Sequence, residues 1–391
     1  MAAMSLDVAA LRAETPACAE VVHLNNAGAS LMSAAVVDAV VGHIRLEARI
    51  GGYEAAAAVQ ETIERTYDSV ANLLGARRHE IALLDNATRA WCTAFYAMRF
   101  GPGDRILTAR AEYGSNVVAM LQVAERSGAI IDVAPDDETG QVSVAALEQM
   151  ISDRTRLIAL THAPAHCGLV NPAAEVGALA RAAGVPFLLD AAQSLGQLSI
   201  DVAQIGCDFL TATGRKFLRG PRGTGLLYVK EDLIAQLDPP MLDLRAASWV
   251  GTQKIEVRDD ARRFETWETA VAVRLGLGVA VDQALALGSG AIEQRITYLA
   301  ERLRSMLREV PHIEVHDKGV RSGGIVTFTD DRRPAAQVAD HLRARAINVS
   351  VTNAEQARFD IDDRGLPPTV RASVHCYNTE EELDLLVEAL S

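Results

Sequence analysis

A chain of 391 residues exceeds what one ordinary core accommodates, so a large domain with a smaller companion is expected. Hydrophobic residues make up 49% and charged residues 23%, enough to bury a sizeable core. A formal net charge of −13 argues against a nucleic-acid partner and against adhesion to an anionic membrane, since nothing would neutralise their phosphates.

Residues 1–15 carry no basic region followed by an apolar run, and the apolar stretch near Gly276–Leu287 is broken by Arg274 and Asp282. Neither a signal peptide nor a membrane span is expected. The five cysteines, Cys18, Cys92, Cys167, Cys207 and Cys376, are scattered and show no C-x-x-C spacing. They read as reduced thiols of a cytoplasmic protein, with no disulfide framework and no zinc site.

Between Ile81 and Val229, short β-rich runs alternate with helical stretches. The runs are Ile81–Asp85, Arg105–Thr108, Ile130–Ala134, Leu157–His162, Val185–Asp190, Asp208–Thr211 and Gly225–Val229. Consecutive apolar residues, as in Val185-Pro186-Phe187-Leu188-Leu189, predict strands covered on both faces. Ala173–Ala183 has helical composition and ends at Gly184 just before the next strand. The alternation implies an α/β doubly wound domain. After Pro239-Pro240 the pattern changes to a long helix over Trp267–Leu287, strands near Ile325–Phe328 and Ile347–Val351, and helices at Ala335–Arg345 and Glu380–Leu390. A smaller α+β domain of residues 266–391 completed by 1–20 follows, with 21–265 as the large domain.

Open α/β sheets place ligands at the carboxyl ends of their strands. Asp190 ends a strongly apolar strand there, and Lys216 closes Thr213-Gly214-Arg215-Lys216 just past the next one. An aspartate that keeps a pyridine nitrogen protonated, with a lysine able to form a Schiff base, suits pyridoxal phosphate chemistry. Read alone, such a pair is more often a helix cap and a solvated lysine. Neighbouring Gln193, Thr213, Arg215 and Thr88 are suited to a phenolic oxygen and a dianionic phosphate.

With these residues the chain resembles the class V aminotransferases of fold type I, a family that includes cysteine desulfurases, selenocysteine lyases and isopenicillin N epimerase-like proteins. The resemblance runs from Val21 to Leu390 and is most specific over Asp190–Val229. It implies a seven-stranded, mostly parallel sheet with a smaller α+β C-terminal domain, and pyridoxal 5'-phosphate as cofactor. By position it puts the Schiff base on Lys216, the pyridine partner on Asp190 and the ring-oxygen partner on Gln193. Thr213 and Arg215 fall where the family has phosphate ligands, Arg215 replacing its usual histidine with a two-point fork. Asn86-Ala87-Thr88 matches the phosphate loop, where the helix N-terminus and the Thr88 hydroxyl supply donors; as a plain motif it is a threonine cap.

Glu112-Tyr113-Gly114-Ser115-Asn116 matches the segment that stacks a ring over the cofactor, making Tyr113 a stacking residue and a candidate acid. Arg371, in Val370-Arg371-Ala372-Ser373-Val374-His375-Cys376-Tyr377-Asn378, resembles the arginine that clamps a substrate α-carboxylate. The other reading of Arg371 is a structural salt bridge. Asn26, in Asn25-Asn26-Ala27-Gly28, falls on the substrate side. Arg263–Thr269 resembles a segment donated to the neighbouring subunit's phosphate site and implies a homodimer. Gly220-Pro221-Arg222-Gly223-Thr224-Gly225 lacks the strand–helix context of a dinucleotide loop and reads as the turn beyond Lys216. His162 and His166 have no partners at metal-ligand spacing.

Two departures bear on the reaction. Ser350–Gln356, where desulfurases carry their nucleophilic cysteine, has none. Ala165 stands in place of the family's asparagine near the ring oxygen, with His166 beside it as a possible substitute. Glu112-Tyr113-Gly114, the helix-borne Gly51-Gly52-Tyr53 and Arg215-Lys216 resemble hercynylcysteine sulfoxide lyase-like enzymes. The expectation is a carbon–sulfur β-elimination lyase on a cysteine-derived amino acid, with an aminotransferase or epimerase as the alternative. A cofactor-binding regulator would need an appended basic module, for which the residues before Val21 leave no room.

Overall fold

The computed structural model describes residues 6–391; residues 1–5, the start of the stretch assigned to the smaller domain, lie outside the described residues. The seven expected runs form one sheet from β1 (Ile81–Leu84), β2 (Arg105–Ala109), β3 (Ile130–Ala134), β4 (Thr155–Thr161), β5 (Phe187–Asp190), β6 (Phe209–Thr213) and β7 (Gly225–Val229). Their order is β1-β7-β6-β5-β4-β2-β3, parallel except that β7 runs against both its neighbours. Alternate side chains serve two cores: Leu160, Leu189 and Leu210 face one, and Ala159, Leu188 and Phe209 face the other. With both faces apolar, these strands show no polar alternation in sequence.

Helices α1 (Ala34–Ile50), α2 (Gln60–Leu74), α3 (Ala87–Tyr96), α4 (Gly114–Ser127) and α5 (Ala173–Ala183) belong to the same half of the chain. The long helix α6 begins at Val271 rather than Trp267, and packs on α1 and α2. The reason is local: buried Glu265 accepts from the Tyr67 hydroxyl at 2.7 Å and pairs with Arg245. Asp243 accepts from the Trp267 amide at 2.7 Å, holding this stretch out of the helix. Among the described residues no single helix is long and apolar enough to cross a membrane; α6 and the next helix, α7 (Ser289–Arg308), meet at 83°.

An exposed hairpin, β8 (Ala247–Gly251) with β9 (Lys254–Val257), was not anticipated. A second sheet has the order β10-β11-β13-β12, from β10 (Ile313–Val315), β11 (Ile325–Asp330), β12 (Ser350–Thr352) and β13 (Thr369–Ser373). It is flanked by α8 (Ala335–Arg343) and α9 (Glu380–Leu390), the latter opened by a Thr379–Glu382 capping box. The expected strand Ile347–Val351 is two pieces: Ile347 and Asn348 pair with Val22 and His23, whereas Ser350–Thr352 pairs with β13. One strand cannot serve two sheets, so the chain changes partner at Val349.

Candidate active site

Thr161, Asp190 and Thr213 are the last residues of the adjacent strands β4, β5 and β6, and all three line one cavity of about 180 Å³. Asn86, Ala87 and Thr88, at the N-terminus of α3, and Tyr113 and Asn116, at that of α4, close it on one side. Ala163, Ala165, Ala192, Gln193, Arg215 and Lys216 complete the lining. Eight of the expected site residues, Ala87, Thr88, Tyr113, Asp190, Gln193, Thr213, Arg215 and Lys216, are thus brought together; Asn26 and Arg371 are not on the wall.

Local sequence explains the placement. Asn86 caps α3, its side chain accepting from the Arg89 amide at 2.9 Å and leaving the amides of Ala87 and Thr88 outside the helical pattern. Behind it runs Gly225, the first residue of β7; a Cβ there would lie 2.4 Å from the Asn86 carbonyl, so only glycine lets that strand support the loop. Past β6 the chain turns at Gly214 through Lys216 to Arg219, which holds a left-handed φ of 60°.

The Asp190 carboxylate accepts from Asn116 Nδ2 and the Ala192 amide, both at 2.9 Å. Gln193 donates from Nε2 to the Ala27 carbonyl at 3.0 Å, leaving its buried Oε1 without a partner. Arg215 donates to the Gly28 carbonyl, and burial followed by the Arg222 charge lowers its pKa. The Thr213 hydroxyl donates to the Thr224 carbonyl at 2.9 Å. Burial, then Arg215, bring the Lys216 pKa from 10.5 down to about 7; Asp190 opposes them and Arg371 adds to them. The amine is therefore free near neutrality, as a nucleophile and base requires.

Arg371, on β13, lies just behind the wall. It donates from Nη1 to the Ala165 carbonyl at 2.9 Å and from Nη2 to Asn25 Oδ1 at 3.3 Å, and its buried Nε has no partner. It makes no salt bridge among the described residues, and burial, then Arg215, lower its pKa to about 10. Asn26 is engaged elsewhere, donating to the Ser373 carbonyl at 2.7 Å and accepting from the Tyr377 hydroxyl. Its neighbour Asn25, which contacts Arg371, was overlooked.

Thr161 is not reached from the sequence, and Asn116 and buried Glu112 enter there only as parts of the segment around Tyr113, with no role of their own, although the Glu112–Asn116 spacing at a helix start is a usable signal. His166 points away from the cavity, pairing with Asp360 at 2.8 Å. Burial disfavours its charge, but Cys167 and Asp360 more than offset this and raise its pKa to about 9. Tyr53 is exposed, and with Trp267 it lines a separate hollow. No cysteine lines the cavity.

Pyridoxal phosphate fits these residues: an anionic floor at Asp190, a buried amide at Gln193, amides at a helix N-terminus and a lysine depressed toward neutrality. The fold and this lining define a fold type I pyridoxal-phosphate-dependent enzyme. The family model for class-V aminotransferases matches residues 22–386, and the chain belongs to that family.

A probable cysteine desulfurase of Methanothermobacter thermautotrophicus is 30% identical over 343 residues, covering 87% of this chain and 86% of its own. The solved apo cysteine desulfurase of Thermococcus onnurineus superposes with a TM-score of 0.92 at 25% identity, over 100% of this chain and 98% of that one. The cysteine desulfurase CsdA of Escherichia coli gives 0.91 at 25% identity, over 98% of each.

Proposed function

We propose that the protein is a carbon–sulfur lyase that eliminates a β-substituent from a cysteine-derived amino acid without a persulfide cysteine. The relatives named as cysteine desulfurases support a sulfur-bearing amino acid as substrate. One observation carries the departure from them: the segment that would bring a thiol, Ser350–Gln356, holds none and is docked. A Cβ on Gly114 would lie 2.1 Å from the Glu355 carbonyl oxygen, so this loop sits directly on the start of α4 beside Tyr113. Cys18, Cys167, Cys207 and Cys376 are buried, and Cys92 is raised in pKa by burial.

Bound pyridoxal phosphate supplies an electron-withdrawing ring that stabilises negative charge at the substrate α-carbon. In this reading Asp190 holds the ring nitrogen's proton, Gln193 meets the ring oxygen, and Thr88, Thr213, Arg215 and the Ala87 and Thr88 amides hold the phosphate. Arg371 grips the α-carboxylate with a planar fork. Lys216 would hold the cofactor and, as a free amine, would take the α-proton. Tyr113 stacks on the ring and protonates the departing sulfur.

Mixing the holoprotein with a panel of cysteine derivatives should release pyruvate. Pyridoxamine phosphate or the D-enantiomer would mean transamination or epimerisation, and accumulation of a protein persulfide would sink the thiol-free reading. A homodimer is part of the proposal: Tyr53, Trp267 and the hairpin residues Trp249, Val250 and Ile255 are all exposed apolar surface. A strictly monomeric, fully active protein by sedimentation would refute it. Residues 21–265 as cofactor domain, with 1–20 and 266–391 as the smaller one, and a cytoplasmic location belong to the same reading; limited proteolysis and cell fractionation test them.

A further inference from the structure

Glu112 is buried to 1% exposure and makes no ion pair among the described residues, yet its carboxylate accepts five hydrogen bonds. Oε1 takes Asn116 Nδ2 at 2.8 Å, Thr161 Oγ1 at 2.5 Å and the Tyr113 amide at 3.0 Å. Oε2 takes Thr108 Oγ1 at 3.0 Å and the Thr161 amide at 3.1 Å. Asn116 Nδ2 and the Tyr113 and Thr161 amides can only donate, whereas the two threonine hydroxyls can also accept, Thr161 Oγ1 taking the Tyr113 amide at 3.3 Å. Burial pushes this carboxyl up, as does the Asp190 charge, while Thr161, Asn116 and Tyr113 pull it down. On balance burial wins and the carboxyl is raised, but both of its oxygens face donors that cannot accept, which favours the ionised form.

Asn116 Nδ2 has two hydrogens, and both are used on carboxylates: one on Glu112 and one on Asp190 Oδ2. Turned over, the amide would point its oxygen at two anions, so its orientation is fixed by charge. Opposite stand Lys216, Arg215 and Arg371, whose summed field works against any further proton in the cavity.

We propose that Glu112 is a positioning residue for the cofactor: through Asn116 it holds Asp190 in one orientation and sets a second negative charge behind it, keeping the ring nitrogen protonated. This rests on the reading of Asp190 as partner of that nitrogen.

Two readouts test it, the dissociation constant of pyridoxal phosphate from the apoprotein and the pH midpoint of the loaded protein's visible absorbance. Glu112→Gln and Asn116→Ala should each weaken cofactor binding about tenfold, the scale of one hydrogen bond to a charge. Because they act in one chain, the double variant should be no weaker than the worse single one. The midpoint should fall by about one pH unit in Glu112→Gln and stay in place in Glu112→Asp, which keeps the charge. A folded Glu112→Gln with parental affinity and midpoint, or losses that multiply in the double variant, overturns the proposal. If Glu112→Gln does not fold, Asn116→Ala leaves four of the five donors in place, and parental affinity there is equally fatal. Asp190→Asn separates the two levels: if it too binds and titrates like the parent, the Asp190 assignment itself has failed.

Discussion

The floor and the cationic wall of the cavity are built on opposite principles. On the floor, Asp190, Asn116 and Glu112 match donor to acceptor within the chain, so the carboxylates are held before any ligand arrives. On the wall, Lys216, Arg215 and Arg371 have no carboxylate partner among the described residues; the two arginines rest on carbonyl or amide oxygens, and Arg371 Nε has no partner among those residues. A buried guanidinium facing only neutral acceptors is under-compensated, which is why burial and its neighbours depress Arg371 and Lys216. The polypeptide thus completes its anionic side and leaves the cationic side to anions, which in the proposed function are a phosphate and a carboxylate.

The sharpest way to break this contrast is at Lys216. Lys216→Ala should remove the borohydride-trappable link to the cofactor and lower turnover by roughly 10²–10⁴-fold, the range for losing a positioned acid–base group. Trapping on another lysine would reassign the wall. Arg371→Ala should weaken substrate binding by about 2–5 kcal/mol with cofactor content near normal, since in the proposed function the cofactor belongs to Asp190, Thr88 and Lys216 instead. Arg371→Lys should recover little, because an ammonium lacks the fork. Substrate titrations run beside thermal melts check this. A lowered melting temperature with unchanged affinity would make Arg371 structural.

A third test uses pH on the apoprotein. The folded-state pKa of Lys216, about 7, lies below its ordinary 10.5, so between those values the unfolded chain binds more protons and stability rises with pH. Lys216→Met should therefore be the more stable apoprotein below pH 7, by up to a few kcal/mol, with the gain fading toward pH 10.5. Denaturant melts across that window check it; a pH-independent difference would mean that Lys216 keeps its ordinary pKa in the folded state.

What was legible in the sequence follows from how far each constraint reaches along the chain. Asp190 and Lys216 could be found because a run of apolar residues marks a strand buried on both faces, and ligands gather where such strands end. The choice between Asn25 and Asn26 was not legible: consecutive side chains diverge, and only the Arg371 strand, 346 residues away, selects Asn25. His166 follows Ala165 directly, yet its ring is claimed by Asp360, 194 positions on. The bond from Asn116 to Asp190 likewise spans 74 positions, although Glu112 and Asn116 are close in sequence. Elements set by local periodicity, such as Ala173–Ala183 and Glu380–Leu390, fall where expected, whereas Trp267–Ala270 is extended because tertiary bonds at Glu265 and Asp243 outweigh its helical composition.

The smallest expected effect separates two threonines that the family resemblance treats alike. Thr88 lies at the N-terminus of α3, and its hydroxyl has no hydrogen-bond partner among the described residues, so a phosphate gains its donor outright. Thr213 already donates to the Thr224 carbonyl at 2.9 Å, and its single hydrogen can reach a phosphate only by giving up that bond and leaving the carbonyl to the longer one from the Gly214 amide, at 3.3 Å. Thr88→Val should therefore weaken cofactor binding by about 1.5 kcal/mol, the lower end for a hydrogen bond to a charged group. Thr213→Val should cost well under that in affinity, and instead slightly lower the melting temperature of the apoprotein, because the Thr224 carbonyl loses the shorter of its two hydrogen bonds. Equilibrium dialysis of pyridoxal phosphate beside apoprotein melts reads both quantities. If Thr213→Val weakened the cofactor as much as Thr88→Val while leaving the melt unchanged, its hydroxyl would belong to the phosphate, and the wall would supply a donor that the cavity's own hydrogen bonds do not predict.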